Sequence, residues 1–344
     1  MRIAIIAPPW VPVPPPAYGG VEAVLDGLAR GVRDAGHDVL LFATGDSTCP
    51  VPTRWILDTA AGTTQPGSAT ELHHVVNAYD EVLTWGADVV HDHTLVGPLY
   101  GQTLGAPVVT TNHGPFDAVF GDYYRAIGAA VPIVAISHHQ ASTALNTPVA
   151  AVIHHAVDVD AFPLGPGAGG YAVFLGRMSR DKGVHTAVTV ARAASIPLRI
   201  AAKMREPAEF AYFEETVAPL LDDDAVYVGE VGGDTKLELL GDAVCLLNPL
   251  AWDEPFGMVM IEAMACGTPV VATPFGSVPE LITRGVTGFV ERTGSELGRA
   301  IRRAGQLDRA VCRAEAAARF SLERLVDDHL TLYERIKALR RRAA

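Results

Sequence analysis

The sequence predicts an α/β protein with two domains, each built around a parallel β-sheet. Three observations support this fold class. The chain has 344 residues, a length that suits two domains with a core each. Short apolar runs alternate with segments of helical periodicity, as in sheets whose strands are buried on both faces. A glycine-rich stretch, residues 165–170, interrupts this alternation near the middle of the chain.

The first half contains five predicted strands, separated by helices and loops. They are continuous apolar runs at residues 3–7, 39–43, 87–91, 108–112 and 133–137. A proline-rich loop, residues 8–16, follows the first strand and leads to the segment YGGVE at residues 18–22. The first helix begins there and ends near Gly36. We assign residues 1–160 to the first domain.

The second half repeats the alternation, with predicted strands at residues 171–175, 198–202, 225–228, 244–248, 269–272 and 288–290. Gly165, Gly167 and Gly170 fit the spacing GxGxxG. A dinucleotide fingerprint has a strand before it and a helix after it, whereas a strand follows here. We therefore predict a linker at 161–170, a second domain at 171–320 and a C-terminal helix at 321–344.

Composition narrows the possible partners and compartments. Acidic residues outnumber basic ones by 39 to 27, giving a net charge of −12, so no basic field is available for nucleic acid and membrane contact is at most peripheral. The N-terminal apolar run is broken by Pro8 and Pro9 and is too short for a signal peptide. The four cysteines are scattered and form no CxxC pair. These features predict a cytoplasmic protein.

Two glutamates eight positions apart, Glu254 and Glu262, are the strongest chemical signal. The turn residues Pro255, Phe256 and Gly257 lie between them and precede a predicted helix. The start of a helix leaves backbone N–H groups unpaired, which suits a phosphate or sugar oxygen. Ionised carboxylates accept hydrogen bonds from sugar hydroxyls. The spacing therefore favours a nucleotide-sugar as ligand.

Residues 254–282 have the sequence EPFGMVMIEAMACGTPVVATPFGSVPELI. This string resembles the signature of the retaining GT-B glycosyltransferases of family 4. The resemblance implies two Rossmann-like domains with parallel sheets facing across a cleft, and an acceptor-binding first domain. It also implies a donor-binding second domain and a last helix that crosses back to the first. The implied activity is metal-independent and needs no cofactor, with a UDP-sugar as the most frequent donor.

The resemblance also implies a role for particular residues of the second domain. Glu254 would hold the sugar and Glu262 the ribose, while Arg177 and Lys182, from the segment GRMSRDKG, would bind the diphosphate. The remaining donor-binding residues would act through backbone groups; they are Gly229, Val231, Phe256, Gly257, Met258 and Val259.

In the first domain, Gly19 and Gly20 allow close backbone approach to the diphosphate or the acceptor, although a flexible helix entry explains them nearly as well. His113 matches the family histidine that contacts the donor sugar or the acceptor. With Glu254, Arg177 and Lys182 it completes the predicted catalytic set. His91 and His93 share a strand face and could hold a metal, but no third ligand is near and none is predicted.

Two segments depart from the family pattern. The usual Ala-Gly-x-Gly after a strand of the second domain is Ala201-Ala202-Lys203-Met204 here, where Lys203 would replace backbone contacts to phosphate with a charge. The usual Asn-Gly before Val-Asp is His155-Ala156 in this chain. The predicted function is retaining hexosyl or pentosyl transfer to a hydroxyl of a soluble small molecule or oligosaccharide, as in antibiotic biosynthesis. A glycolipid acceptor is one alternative. A nucleotide-sugar epimerase of the same architecture is another, and such an enzyme would convert its substrate with no acceptor present.

Overall fold

The computed structural model describes residues 1–62, 65 and 67–343. Ala344, the last residue of the predicted 321–344 segment, lies outside the described residues. The chain forms two compact units, Met1–Ala156 together with Leu322–Ala344 (unit 1) and Val157–Ser321 (unit 2). No helix in the described part of the chain combines the length and the hydropathy that a membrane span requires.

Unit 1 contains a seven-stranded parallel sheet with the strand order β3-β2-β1-β4-β5-β6-β7. Its central strands are fully buried because helices cover both faces of a parallel sheet. The strands are β1 (Arg2–Ile6), β2 (Asp38–Phe42), β3 (Thr53–Arg54), β4 (Val89–Asp92), β5 (Val108–Thr111), β6 (Ile133–Ala135) and β7 (Val149–Val152).

The five strands predicted for the first half are all present, and the structure adds β3 and β7. These two form the edges of the sheet. Edge strands are only half-buried here, and β3 has two residues. β3 is therefore too short to produce an apolar run, whereas β7 is one, Val-Ala-Ala-Val, which the sequence prediction missed. The helices of this part are α1 (Gly20–Asp34), α2 (Ala69–Trp85), α3 (Gly97–Thr103), α4 (Ala118–Ile127) and α5 (His138–Thr143).

Unit 2 contains a six-stranded parallel sheet with the order β10-β9-β8-β11-β12-β13. All six strands predicted for the second half are present. They are β8 (Ala172–Arg177), β9 (Leu198–Lys203), β10 (Ala225–Gly229), β11 (Cys245–Asn248), β12 (Val270–Ala272) and β13 (Gly288–Val290). The helices are α6 (Val184–Ala194), α7 (Pro207–Tyr212), α8 (Gly233–Asp242), α9 (Met258–Ala265), α10 (Val278–Leu281), α11 (Gly294–Ala304) and α12 (Arg309–Phe320). The two sheets confirm the predicted α/β class.

The glycine-rich segment lies within unit 2 and is hydrogen-bonded along its length. The Gly165 amide donates to the Cys266 carbonyl at 3.0 Å, and the Gly167 amide donates to the Gly241 carbonyl at 3.0 Å. The Arg309 guanidinium donates to the Gly165 carbonyl at 2.8 Å. Strand β8 follows the segment, so it lacks the helix of a dinucleotide fingerprint.

The last helix, α13 (Leu322–Ala343), belongs to unit 1. It packs on α1 at Gly27 and Gly31. A Cβ at Gly27 would lie 2.6 Å from a Leu322 methyl group, and one at Gly31 would lie 2.4 Å from a Val326 methyl group. The two glycines therefore allow the helix axes to come close. Unit 1 is thus assembled from two separate stretches of the chain.

Candidate active site

The strand order of unit 2 reverses between β8 and β11, which are neighbours in the sheet. In open α/β sheets, ligands bind outside the carboxyl ends of the strands at such a reversal. Arg177 ends β8 and the loop after it carries Lys182, while the loop after β11 carries Glu254. The sequence-predicted residues of the second domain therefore lie on both sides of the switch point.

Backbone contacts bind these two loops together. The Ala251 amide donates to the Asp181 carbonyl at 2.8 Å. Gly183 has φ +76°, and a Cβ there would lie 2.0 Å from the Pro249 carbonyl oxygen. A side chain at position 183 would push the loops apart. The glycine thus keeps Lys182 beside the loop that carries Glu254.

Lys182 and Glu254 form an ion pair, with side chains 13% and 11% exposed. The Trp252 indole Nε1–H donates to Glu254 Oε2 at 3.1 Å. The Lys182 ammonium lies 4.9 Å from the centre of the Trp252 ring, within range of a cation–π interaction. Sequence reasoning missed Trp252; its position two residues before Glu254 was the available signal. The three side chains form one polar cluster.

The loop after β12 holds the turn that follows Glu254. The Ser277 amide donates to the Glu254 carbonyl at 2.9 Å, and the Ser277 hydroxyl donates to the Phe256 carbonyl at 2.6 Å. Gly257 adopts φ +90° and caps α9, whose first residues, Met258 and Val259, are partly exposed. These hydrogen bonds fix the turn through its backbone and do not use the side chains of Glu254 and Phe256.

Phe256 is 2% exposed, and its ring packs edge-on against Phe320 with 6.2 Å between ring centres. Its side chain is therefore part of the core of unit 2. As a predicted donor-binding residue, Phe256 can contribute backbone groups only. The sequence placed it in the site because the motif contains it, whereas burial decides what its ring contacts.

Glu262, about one turn into α9, pairs with Lys236 of α8 at 2.9 Å. The Lys236 ammonium also lies 5.6 Å from the centre of the Phe162 ring. Sequence reasoning missed this lysine as a site residue, because 26 positions separate it from Glu262 and it belongs to no motif. Each glutamate of the motif thus has one lysine partner.

The other predicted residues of unit 2 lie at the same carboxyl edge. Arg177 ends β8 and bonds Asp181 at 3.1 Å, with 38% of its side chain exposed. Gly229 ends β10 with φ +88°, and Val231 follows it partly exposed. Between them, Glu230 pairs with Arg205 at 2.5 Å. The structure brings these residues to one edge of the sheet.

In unit 1, His113 follows β5 and has a histidine at each ring nitrogen. Its Nε2 lies 2.8 Å from His93 Nδ1, and its Nδ1 lies 3.3 Å from His155 Nε2. Burial lowers the pKa of His113 to about 3, so the ring is neutral at physiological pH. Both nitrogens of the predicted catalytic histidine are occupied within unit 1. Sequence reasoning did not foresee this chain of rings.

His91 does not offer a nitrogen to a metal. Its Nδ1 lies 2.6 Å from the Tyr333 hydroxyl, and its Nε2 lies 2.8 Å from the Thr111 hydroxyl. Its ring centre is 4.0 Å from that of His93. Because both nitrogens are engaged, His91 acts as a packing and hydrogen-bonding centre that holds the neighbouring ring in place.

Gly19 and Gly20 lie at the start of α1, as the sequence predicts. A Cβ at Gly19 would lie 2.6 Å from the Pro15 Cβ, so the proline loop packs directly on this backbone. Glu22, in the first turn of α1, is 6% exposed. Burial is the main cause that raises the pKa of Glu22, to about 7. The glycines therefore serve close packing of the loop over a buried carboxyl group.

Two family models together match most of the chain. The model of glycosyl transferases group 1 matches residues 164–319, and the model of glycosyltransferase family 4 matches residues 18–161. The chain is a GT-B glycosyltransferase of family 4. The match explains why the glutamate motif lies at the switch point of unit 2. It confirms an enzyme of the glycosyltransferase class that uses sugar-nucleotide donors.

Individual relatives of this family 4 glycosyltransferase agree with the assignment. A phosphatidyl-myo-inositol mannosyltransferase of Mycolicibacterium smegmatis is 26% identical over 93% of this chain and 88% of its own length. The crystal structure of AviGT4, a glycosyltransferase involved in avilamycin A biosynthesis, has a TM-score of 0.74 and 24% identity, covering 98% of each chain. Anabaena HepE, solved with UDP and glucose, has a TM-score of 0.76 and 19% identity, covering 97% of this chain and 99% of its own. The two structures support the two-domain, Rossmann-like GT-B fold.

Proposed function

We propose that this glycosyltransferase moves a hexosyl group from a UDP-sugar to a hydroxyl of a soluble small molecule or oligosaccharide, with retention and without a metal. The observation that carries the proposal is the pairing of both motif glutamates with lysines at the edge of the unit 2 sheet. Lys182 holds Glu254, and Lys236 holds Glu262. A nucleotide-sugar can replace both partners of such a pair, because its diphosphate is an anion for the lysine and its sugar hydroxyls are donors for the glutamate.

The exchange supports donor binding by Lys182 and Glu254. An incoming diphosphate takes the ammonium of Lys182, and a sugar hydroxyl donates to the carboxylate of Glu254, so that both groups keep a hydrogen-bond partner. The Trp252 indole N–H stays on Glu254 and keeps its orientation. Arg177, with a partly exposed guanidinium, adds a second cation for the departing diphosphate. These two cations supply the positive charge that a metal ion supplies in metal-dependent enzymes.

Retention is proposed by a same-face route. A double displacement needs a carboxylate nucleophile below the anomeric carbon, and the sequence marks no residue for that role. In the same-face route the acceptor hydroxyl attacks from the side that the diphosphate leaves, and the leaving phosphate oxygen accepts the hydroxyl proton. NMR of freshly formed product tests this route: inverted stereochemistry at the anomeric carbon rules it out.

The donor is tested by thermal unfolding of metal-stripped protein with UDP, GDP or ADP in EDTA. A site occupied at 100 times its dissociation constant adds about 2.7 kcal/mol. We expect UDP to stabilise the protein, and Glu262→Ala to abolish the shift because ribose hydroxyls lose their acceptor. Glu238→Ala, an exposed carboxylate on the same helix as Lys236, is the matched control and should keep the shift. Thermal stabilisation by GDP or ADP alone would show that the donor nucleotide is not UDP.

A lipid acceptor is the second candidate, favoured by the identity with a phosphatidyl-myo-inositol mannosyltransferase along most of the chain. The net charge of −12 favours the soluble acceptor, because it opposes binding to an anionic bilayer. Transfer rates to soluble polyols and sugar phosphates, compared with rates to inositol lipid in vesicles, separate the two. Conversion of the UDP-sugar with no acceptor present would instead indicate the epimerase.

A further inference from the structure

Three histidines of unit 1 are joined nitrogen to nitrogen. His93 follows β4, His113 follows β5 and His155 follows β7. His113 is the partly exposed member, whereas His93 and His155 are 7% and 5% exposed. The contacts are 2.8 Å between His93 and His113 and 3.3 Å between His113 and His155. The chain therefore runs from a buried ring, through an accessible one, to a second buried ring.

The proton positions along this chain depend on one another. A neutral imidazole carries one N–H group, so one ring donates and the other accepts in each contact. If His113 accepts at Nε2, its proton is on Nδ1 and it donates to His155. If it donates from Nε2, its Nδ1 must accept from His155. Burial lowers the pKa values of His93 and His155 well below the ordinary value, so all three rings are neutral.

The buried end of the chain selects between these two directions. His93 Nε2 is buried and has no hydrogen-bond partner among the described residues. A proton on that atom would be a buried donor with nothing to bind, which native structures avoid more strongly than an unused lone pair. The proton of His93 is therefore placed on Nδ1, where it donates to His113 Nε2. His113 must then carry its own proton on Nδ1.

Neighbouring groups hold His93 in position. Its backbone amide donates to the Ile6 carbonyl at 2.9 Å. Its ring lies on that of His91, which Tyr333 and Thr111 hold from both sides. A ring fixed in this way can impose its tautomer on the neighbour it contacts.

We propose that His93 fixes His113 as the Nδ1–H tautomer, and that this N–H group binds a substrate oxygen by leaving His155. His93 is then a positioning residue, and His155 is the acceptor that holds the donor in the free enzyme. The contact to be exchanged, between His113 and His155, is the longer of the two. The tautomer assignment stands on the chain geometry alone; the exchange with a substrate rests on the proposed function.

The tautomer is tested by ¹⁵N NMR of histidine-labelled protein without substrate. We expect His113 to show a protonated Nδ1 and an unprotonated Nε2, with a coupling across the hydrogen bond to His93. His93→Asp, whose carboxylate can only accept a hydrogen bond, should shift His113 toward its Nε2–H form, whereas His93→Asn, which keeps a donor, should preserve the Nδ1–H form. His74→Leu is the control, because His74 bonds the Ala7 carbonyl at 3.0 Å and lies outside the chain.

A protonated Nε2 at His113 in the unmodified protein overturns the tautomer assignment, and this result needs no variant to fold. An unchanged His113 in folded His93→Asp also overturns it. The exchange with substrate is tested by kinetics: His93→Asp should lower kcat/KM about tenfold, the usual effect of one misplaced hydrogen bond, and His93→Asn should recover most of it. Full activity in His93→Asp refutes the exchange. No transfer by the unmodified enzyme refutes the proposed function and leaves the NMR result standing.

Discussion

At the carboxyl end of its sheet, unit 2 places charged side chains in ion pairs, whereas unit 1 places neutral histidines in a hydrogen-bonded chain. Lys182 can exchange its carboxylate partner for a diphosphate, and Glu254 can exchange its ammonium partner for a sugar hydroxyl. His113 can exchange only an acceptor, because its other nitrogen is held by His93. The difference indicates that one fold can prepare a ligand site in two ways. It can hold charged side chains in ion pairs, or it can fix the position of a proton on a histidine.

Of all the changes, acid should produce the largest difference in stability between the two units. Burial lowers the pKa of His113 to about 3 and that of His329 to about 4, and it lowers the pKa values of His91, His93 and His155 well below the ordinary 6.5. Unfolded histidines take up protons first, so the stability of unit 1 is complete above pH 6.5 and falls as pH drops toward these values. Each ring costs up to about 1.4 kcal/mol per pH unit.

Two buried carboxyls of unit 1, Glu22 and Asp92, have a pKa raised to about 7 and act in the opposite direction. The five clustered histidines outnumber them. Hydrogen exchange measured from pH 7 to 5 should therefore show unit 1 opening before unit 2. Equal protection of both units at pH 5 would contradict the histidine account.

Phe256→Ala should destabilise unit 2 by about 3–5 kcal/mol, the range for removing a large buried aromatic side chain. The reason is that the ring is 2% exposed and packs on Phe320. Phe275→Ala, in the loop after β12 and 41% exposed, is the matched control and should cost little. Urea unfolding gives both values. If Phe256→Ala lowers the free energy of unfolding only slightly but greatly weakens donor binding, the Phe256 ring contacts the donor rather than the core.

Glu254→Gln should lower kcat/KM by about 10²–10³, the range for losing one preorganised electrostatic contact. The carboxamide keeps the shape but leaves the Lys182 ammonium without its charge partner. Glu291→Gln is the control, because Glu291 forms an ion pair with Arg284 at 2.8 Å after the edge strand of the same sheet. If both variants lose activity equally, the effect belongs to unit 2 as a whole.

Glu22→Gln should give the smallest effect, a gain of about 1–2 kcal/mol at pH 8.5. The folded pKa of about 7 lies above the unfolded 4.5, so the carboxyl contributes full stability below pH 4.5 and loses it as pH rises through 7. Glutamine does not titrate, and the gain should disappear at pH 5. Thermal unfolding at the two pH values measures it, and a gain that does not change with pH would refute burial as the cause.

The sequence predicted most of the fold because buried parallel strands are continuous apolar runs. It missed the two edge strands: β3 has only two residues, and β7 is a short apolar run, Val149–Val152, to which no strand was assigned. In the site, the motif supplied Glu254 and Glu262 but not Lys236. Ion-pair partners depend on how α8 and α9 pack, and no local pattern records that.

The histidine chain shows the same limit more clearly. His113 could be picked out by resemblance to a family position, but its contacts with His93 and His155 join strand ends that are 20 and 42 residues away. Periodicity describes neighbours along one element. It says nothing about which ring nitrogens meet across a sheet.

The division of unit 1 into two stretches has a consequence for synthesis on the ribosome. Its sheet is complete by Ala156, but α13 follows only after all of unit 2. At 5–20 residues per second, this interval lasts roughly 8–33 s. During that time His91 lacks Tyr333, its partner 242 positions later, and the face of α1 that receives Leu322 is uncovered. Unit 2, which is continuous, can finish folding first, so a nascent chain stopped before Leu322 should be the form that chaperones bind.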